Sequence, residues 1–414
     1  MSIFLLFFFI TFTDSYLIAK PGECGKDDFE RFVERNIETL HRTNEITNFI
    51  IEHPEAAIRI VSPEICKGWD IILKRSKDTF ILCKGLAFFR ALKTGPLDPA
   101  TIENLFFHPD VEVRSMAVIV AGFHPERFSE NILNTCISNE KEVPQLFKWA
   151  LERIKNKSSF NFPEPFIEKT NNIKIMPFFR YKNKYENKKP FNNSIFKEKT
   201  DLPEAVSFTY PVLKYEEELV FSTPRNSFGA GEENIHLGDD CAWFRDGTPV
   251  FAITEGIVRL SLSSEEWGNI VVIEHRCKTN YFCSIYGHLS DAVLVKAKDI
   301  VSSGQLIGLT GFSYSYENGG YGSHLHFAIA EGTFLKPKYI PGKYIKIKIK
   351  DSIETALIYK VEEDKVFLKT SSGIKVIEKS SETLNDQIQW IKGYELKENG
   401  TKGWFNPMSF LKMK

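Results

Sequence analysis

Apolar positions along the chain change their period twice. From about Cys24 to Lys157 they recur three and four apart, the spacing of one face of an α-helix. Phe29, Phe32, Val33, Ile37 and Leu40 form one such face. Ser62-Pro63 and Asp98-Pro99 read as N-cap and first-turn pairs: the cap oxygen accepts an orphan N–H, and proline has none to lose. Asp110 to Ala121, DVEVRSMAVIVA, is a further apolar helix that Gly122 is expected to end. Residues 158–204 lose the period. NKKPFNNSIFKEKT reads as a solvated linker, with contact of Lys182, Lys184, Lys188 and Lys189 to an anionic polymer as the weaker reading. From Ser207 to about Lys336 the period is two, or short runs are wholly apolar: Pro249 to Leu262, Asn269 to His275, Tyr281 to Leu289 and His324 to Ala330. Gly247, Gly256, Gly268, Gly304, Gly308 and Gly311 punctuate them, which predicts antiparallel β structure, not βαβ units. The tail from about Tyr339 to Lys414 is again strand-like.

Composition narrows this picture. With 414 residues the chain exceeds one ordinary domain, and about two to four are expected. At 43% hydrophobic and 26% charged residues it is able to bury real cores. A net charge of -1 gives no global attraction to nucleic acid or to an anionic membrane, so neither is expected as a partner. The apolar run Ile3 to Phe12, followed by small and polar residues, suits a signal peptide over residues 1–19, with cleavage after Ser15 or Ala19. It is too short for a stable membrane span, although no Lys or Arg precedes it. Export to the periplasm or cell surface follows. Cys24 follows Glu23 rather than a small residue, which argues against a lipoprotein. Seven cysteines fit an oxidising compartment without requiring one. Cys277 and Cys283 bracket a hairpin-like stretch, so a cross-strand bridge and two free thiols both stay open.

Five of the nine histidines lie between positions 236 and 326. On a strand, His324 and His326 point to one face, while Leu325 and Phe327 face a core. Such a pair alone is a weak signal. His236-Leu237-Gly238-Asp239-Asp240 adds a histidine and a carboxylate four apart, able to curl around one ion. Zinc takes nitrogen and oxygen ligands tetrahedrally, and a catalytic site leaves one position for water. His236, Asp240 and one histidine of the pair would supply three ligands, with Asp239 as the alternative carboxylate. His288, ending another strand in Tyr286-Gly287-His288-Leu289, is a further candidate base or transition-state donor. His53, His108 and His124 each precede proline and read as helix-start residues, and His275 and Cys241 as structural ones.

In order, HLGDD, GTPVFAITEGIV, WGNIVVIEH, YGHLS, VSSGQLIGLTG and GSHLHF resemble the LytM/lysostaphin family of zinc metallopeptidases over about 130 residues. The resemblance implies that His236, Asp240 and His326 bind zinc and that His288 and His324 are the catalytic pair. It also implies attack of a zinc-activated water on a scissile carbonyl, with a histidine helping to protonate the leaving amine. Which histidine is the base stays open. All five positions are present, unlike the inactive activators of that family. Two departures stand out. Ala328 follows Phe327 where the family often has Glu, and GFSYSYENGGYGS is a longer loop than usual, with Tyr314, Tyr316 and Tyr321 available to pack on a substrate or within the loop.

The flanks carry weaker resemblances. HPDVEVRSMAVIVAGFHPERF resembles one HEAT-type helical unit, and WIKGYELKENGTKGWFNPMSFL, with Trp390, Gly403 and Trp404, resembles the last strands of SH3-like barrels. The expected architecture is therefore multidomain. It comprises an all-α HEAT-like domain (24–157), a linker (158–204), an antiparallel all-β peptidase core (205–336) and a small SH3-like C-terminal β-barrel (337–414). The expected function is a zinc endopeptidase cutting cross-links or bridges of bacterial peptidoglycan, with a protein partner for the helical surface. The competing readings are a non-hydrolytic wall-binding regulator or scaffold on the same fold, and a zinc peptidase acting on a protein.

Overall fold

The computed structural model describes residues 43–58, 60–92, 97–157, 168–170, 173–175, 194–196, 198–199, 201–226, 233–243, 245–264, 267–313, 315–334, 340–349, 352–362, 365–378 and 393–414. The expected signal segment, Cys24, the helical face Phe29 to Leu40, the linker lysines, Tyr314 and Trp390 lie outside the described residues. No helix among those described is long and apolar enough to cross a membrane.

The N-terminal region is helical. Among the described residues, eight α-helices lie between Thr43 and Lys155: α1 Thr43–Glu52, α2 Pro54–Ala57, α3 Pro63–Arg75, α4 Thr79–Ala91, α5 Pro99–Leu105, α6 Val111–Phe123, α7 Glu130–Ile137 and α8 Pro144–Lys155. Ser62, Asp98 and Asp110 cap α3, α5 and α6, each side chain accepting a backbone N–H. Gly122 does not end α6. It sits inside the helix, where a Cβ would come within 2.2 Å of the Trp149 ring of α8. The glycine serves helix packing, and the helix stops one residue later, before His124-Pro125. α4 and α6 are apolar on nearly every side and form the centre of the region, with Trp69, Phe88, Phe106, Ile119 and Phe147 almost fully buried. The HEAT-type likeness remains one of sequence.

The middle of the chain is an antiparallel β-sheet. The strands used here are β1 Glu217–Leu219, β2 Glu233–His236, β3 Gly238–Cys241, β4 Pro249–Phe251, β5 Gly256–Ser264, β6 Gly268–Cys277, β7 Asn280–Leu289, β8 Leu306–Leu309 and β9 Leu325–Glu331. The main sheet runs β5-β6-β7-β9-β3-β1, with short strands on its edges. Both faces are covered, so side chains alternate between two cores. Tyr286, Leu325, Phe327 and Ile329 enter one, and Leu237, Ile285, Ala328 and Ala330 the other. This explains why β6 and β7 read as apolar runs with little polar alternation.

The register also settles the cysteines. Cys283 pairs with Glu274, whereas Cys277 pairs with Asn280, so the two thiols are not opposite each other. Among the described residues, no disulfide joins Cys66, Cys83, Cys136, Cys241, Cys277 or Cys283.

After the sheet, strands β10 Tyr344–Ile349, β11 Ser352–Val361, β12 Lys365–Thr370 and β13 Gly373–Glu378 form a four-stranded meander. It does not close: no barrel forms among the described residues. β14, Tyr394–Leu396, instead pairs with β2, and β15, Trp404–Phe405, with β9. The final helix α9, Pro407–Lys412, buries Phe410 and Leu411 in the core of the sheet. The Gly403-Trp404 strand that resembled a barrel's end is therefore an edge of the central sheet, because that edge offers unpaired backbone groups and an apolar face to cover.

The helical region and the sheet share one apolar core: Phe251, Ala292, Leu306, Leu309 and Phe312 join the helical cluster. Lys84 of α4 forms a buried ion pair with Asp246, and Lys214 and Arg245 pair with Asp110 and Glu112 at its margin. Removing one partner from a buried pair of this kind costs roughly 3–5 kcal/mol, since the other charge is left in low dielectric.

Candidate active site

Strand register assembles the site. β9 lies between β7 and β3, with Gly287 opposite His326 on one side and Asp240 opposite His326 on the other. His236 ends β2 and reaches the same point through the turn at Leu237-Gly238. At Gly238 a Cβ would meet Phe327 O at 2.5 Å and His326 Nε2 at 2.9 Å, so only glycine fits there. The structure thus brings all five predicted positions together from four strands and one loop.

Three atoms converge. His236 Nε2 lies 2.9 Å from His326 Nδ1, His326 Nδ1 lies 3.0 Å from Asp240 Oδ1, and His236 Nε2 lies 3.2 Å from Asp240 Oδ1. These three residues form the one metal-capable group among the described residues. Tetrahedral zinc with bonds of 2.0–2.1 Å would separate its ligand atoms by roughly 3.3 Å, close to what is seen. Burial pushes the Asp240 carboxyl up, but His324, His236 and His326 outweigh it and hold it well below the usual carboxylate range. Burial holds His326 down at about 4, so a proton on its ring is disfavoured. The His326 Nε2 atom is buried without a hydrogen-bond partner, which leaves Nδ1 as its working nitrogen. Acceptor atoms crowded to this extent fit a cation.

Asp239 is directed elsewhere. It neighbours Asp240 on a strand, so its side chain takes the opposite face. There it accepts the Tyr215 hydroxyl at 2.6 Å and the Phe221 N–H at 2.9 Å.

His288 and His324 stand beside this triad, with ring centroids 4.5 Å apart. His324 Nε2 is 3.8 Å from Asp240 Oδ1. His324 Nδ1 donates to Gly322 O at 2.7 Å, and His288 Nδ1 donates to Asn318 O at 2.8 Å. A carbonyl only accepts, so each Nδ1 carries the proton and each Nε2 keeps its lone pair in the neutral ring. Burial, followed by the neighbouring His324 and His326, holds His288 well below the usual histidine range. His288 also adopts a left-handed backbone at φ 61°, unusual for a side chain of this size. Its N–H to Trp267 O and its carbonyl to Gly311 N–H fix that conformation. Such strain persists where surrounding structure over-determines it.

Sequence reasoning missed the aromatic frame. Trp267 stacks on His288 with centroids 5.4 Å apart and meets His326 edge-on at 5.0 Å. Trp243 lies over His324 at 4.5 Å, and Tyr394 of β14 packs on His236 at 5.2 Å. Trp267 stood in a recognisable stretch, but Tyr394 is 158 positions from His236 and carried no local signal. Tyr321 of the long loop lies 4.9 Å from His288 and is 44% exposed, a position open to a substrate. His275 is structural: its Nδ1 donates to Glu255 O and its Nε2 accepts from Ser284 Oγ, both at 2.7 Å. Cys241 is buried, with Sγ directed to Leu325 O.

Comparison with known proteins places a domain here. Residues 234–337 match the model of peptidase family M23. The chain is 32% identical over 142 residues to an uncharacterised metalloprotease of Buchnera aphidicola, covering 34% of each protein. It is 40% identical over 94 residues to the peptidoglycan DD-endopeptidase ShyA of Vibrio cholerae, covering 23% of this chain and 20% of that one. The matched parts thus span about a third and a fifth of these relatives. Among solved structures, a zinc-containing peptidase from Vibrio cholerae is 30% identical at a TM-score of 0.27, covering 33% of this chain and 41% of that one. The catalytic domain of lysostaphin from Staphylococcus simulans is 28% identical at a TM-score of 0.23, covering 29% and 82%.

Proposed function

We propose that this chain is a zinc-dependent endopeptidase that hydrolyses peptide cross-links or bridges of bacterial peptidoglycan. One observation carries the reading: three metal-capable atoms converge beside two histidines that both present an unprotonated Nε2. The M23 match over residues 234–337 and the likeness to a peptidoglycan endopeptidase support the substrate class. In this reading His236, Asp240 and His326 hold the ion, and an exported protein would meet its substrate outside the cytoplasm.

When bound, zinc supplies Lewis acidity toward water and a peptide carbonyl. The chain's own residues supply the rest. His288 and His324 take a proton at Nε2 from the attacking water and return one to the leaving amine. Their Nδ1–H bonds to Asn318 O and Gly322 O steady the imidazolium that forms, because a carbonyl dipole faces each ring. Trp267 and Trp243 fix the ring planes and thin out water around them. Tyr321, exposed beside His288, offers a face on which a peptide stem packs.

The test is digestion of purified peptidoglycan by the zinc-loaded full chain, with mass spectrometry of released fragments and His324→Ala as control. Loss of cross-linked fragments is expected, slowed about 10²–10⁴-fold in the variant. An intact wall with folded, zinc-loaded protein would sink the reading and favour a wall-binding regulator.

A further inference from the structure

The loop that supports both site histidines is anchored from the helical region. Asp246 Oδ1 accepts the Ser313 N–H at 2.6 Å, and Ser313 Oγ accepts the Ser323 N–H at 2.9 Å. Ser323 directly precedes His324. The other Asp246 oxygen is the partner of Lys84 on α4, and both side chains are almost fully buried. A second set of bonds runs through Glu317. Its Oε1 accepts the Phe312 N–H at 2.7 Å, and its Oε2 accepts the Asp291 N–H at 2.9 Å. The next residue, Asn318, supplies the carbonyl that receives His288 Nδ1. Arg90, also on α4, lies over the Phe312 ring at 4.9 Å and faces Glu317, Asp246 and Asp291 electrostatically.

The sheet side therefore places three acidic groups at one loop, Asp246 fully buried and Glu317 and Asp291 half-buried, and α4 brings two cations to them. A charge buried without a partner is strongly disfavoured, so Asp246 holds the Ser313 N–H as a carboxylate only with Lys84 beside it, and Arg90 adds a second positive charge facing Glu317. We propose that Lys84 and Arg90 of the helical region are positioning residues of the peptidase site. They neutralise Asp246 and Glu317 and so hold the loop 311–323 in the conformation that aims Nε2 of both His288 and His324. The inference rests on the reading of those two histidines as the catalytic pair. It makes the helical region part of the working site, acting through the loop without touching substrate.

The experiment uses full-length protein. Lys84→Met is compared with the parent for kcat and KM on a soluble cross-linked muropeptide, for bound zinc, and for amide hydrogen exchange. The expected result is a fall in kcat of about tenfold to a hundredfold, as misplacement of reacting groups produces, with KM and zinc content little changed. Amides of residues 311–323 should lose protection while those of β6 and β7 keep theirs. Unchanged exchange in the loop would overturn the proposal. So would an equal loss of protection in loop and strands, since the pair would then support only general stability. If Lys84→Met does not fold, Arg90→Gln leaves the Lys84–Asp246 pair in place and carries the same test. A smaller fall in kcat with exchange rising around Phe312 to Asn318 supports the proposal, and no change in either overturns it. The exchange pattern is read without any activity. A parent chain that cuts no peptidoglycan therefore ends the functional reading while the loop still answers whether α4 positions it.

Discussion

The two regions flanking the sheet are attached in different ways. The helical region shares a continuous core with the sheet through Phe251, Leu306, Leu309 and Phe312, and sends Lys84 into it. The meander β10–β13 has a small core of its own, Ala356, Ile358, Val366 and Leu368, and leaves Tyr359, Ile374 and Val376 exposed. The C-terminal residues beyond it return to the sheet, where β14 puts Tyr394 on His236. Nearness in sequence therefore does not decide which part of the chain bears on the site. Continuity of buried surface does, because a close-packed interior transmits displacement and a small separate core does not.

The contrast yields predictions of decreasing size. Trp69 is fully buried in the helical core. Trp69→Ala should cost about 3–5 kcal/mol and, because that core is shared, lower the melting temperature of helical region and sheet together in one calorimetric transition. Two separate transitions, with only the helical one moved, would break the comparison.

Acid should distinguish the regions next. Burial holds His275 down at about 4, whereas in an unfolded chain it titrates near 6.5. The unfolded chain then binds the extra proton, so the stability present above about pH 6.5 is lost as pH falls toward 4. The loss is about 3 kcal/mol for a shift of this size. No histidine occurs between residues 344 and 378, so the meander has no such term. Denaturant unfolding at pH 7 and pH 4.5, followed by hydrogen exchange of each region, should show the sheet weakening first. Equal weakening of the meander would argue against the assignment.

The smallest expected effect is Ile358→Ala, about 2 kcal/mol, at the low end for such a change because the meander core is small and able to relax. It should raise exchange in β11 and β12 and leave the proposed hydrolysis of peptidoglycan unchanged. A parallel fall in activity would show that the meander is coupled to the site after all.

Much of the peptidase sheet was legible because its signals are local. Alternation put Leu325 and Phe327 into a core and His324 and His326 on the other face, and glycines marked the strand ends. Ser62 and Asp98 were readable as caps because a cap bonds only two or three residues along the chain. Gly122 misled because the same residue serves a helix end and a close helix crossing, and only Trp149, 27 positions on, distinguishes them. The barrel expectation failed for a related reason. Strands of the right length and turn chemistry do not state their partner, and β14 and β15 found theirs in the peptidase sheet.

By itself, then, the sequence determined the helical and β regions, the caps, and which residue types could meet around an ion. Those properties follow from periods of 3.6 and 2 and from short-range hydrogen bonds. Only the tertiary structure decided that Trp267, Trp243 and Tyr394 frame the histidines and that Lys84 meets Asp246. Lys84 and Arg90 stand within the apolar helix FILCKGLAFFRA. Their partners lie well over a hundred residues away, and no local rule of spacing or propensity reaches that far: desolvation demands a counter-charge, and packing alone chooses which one.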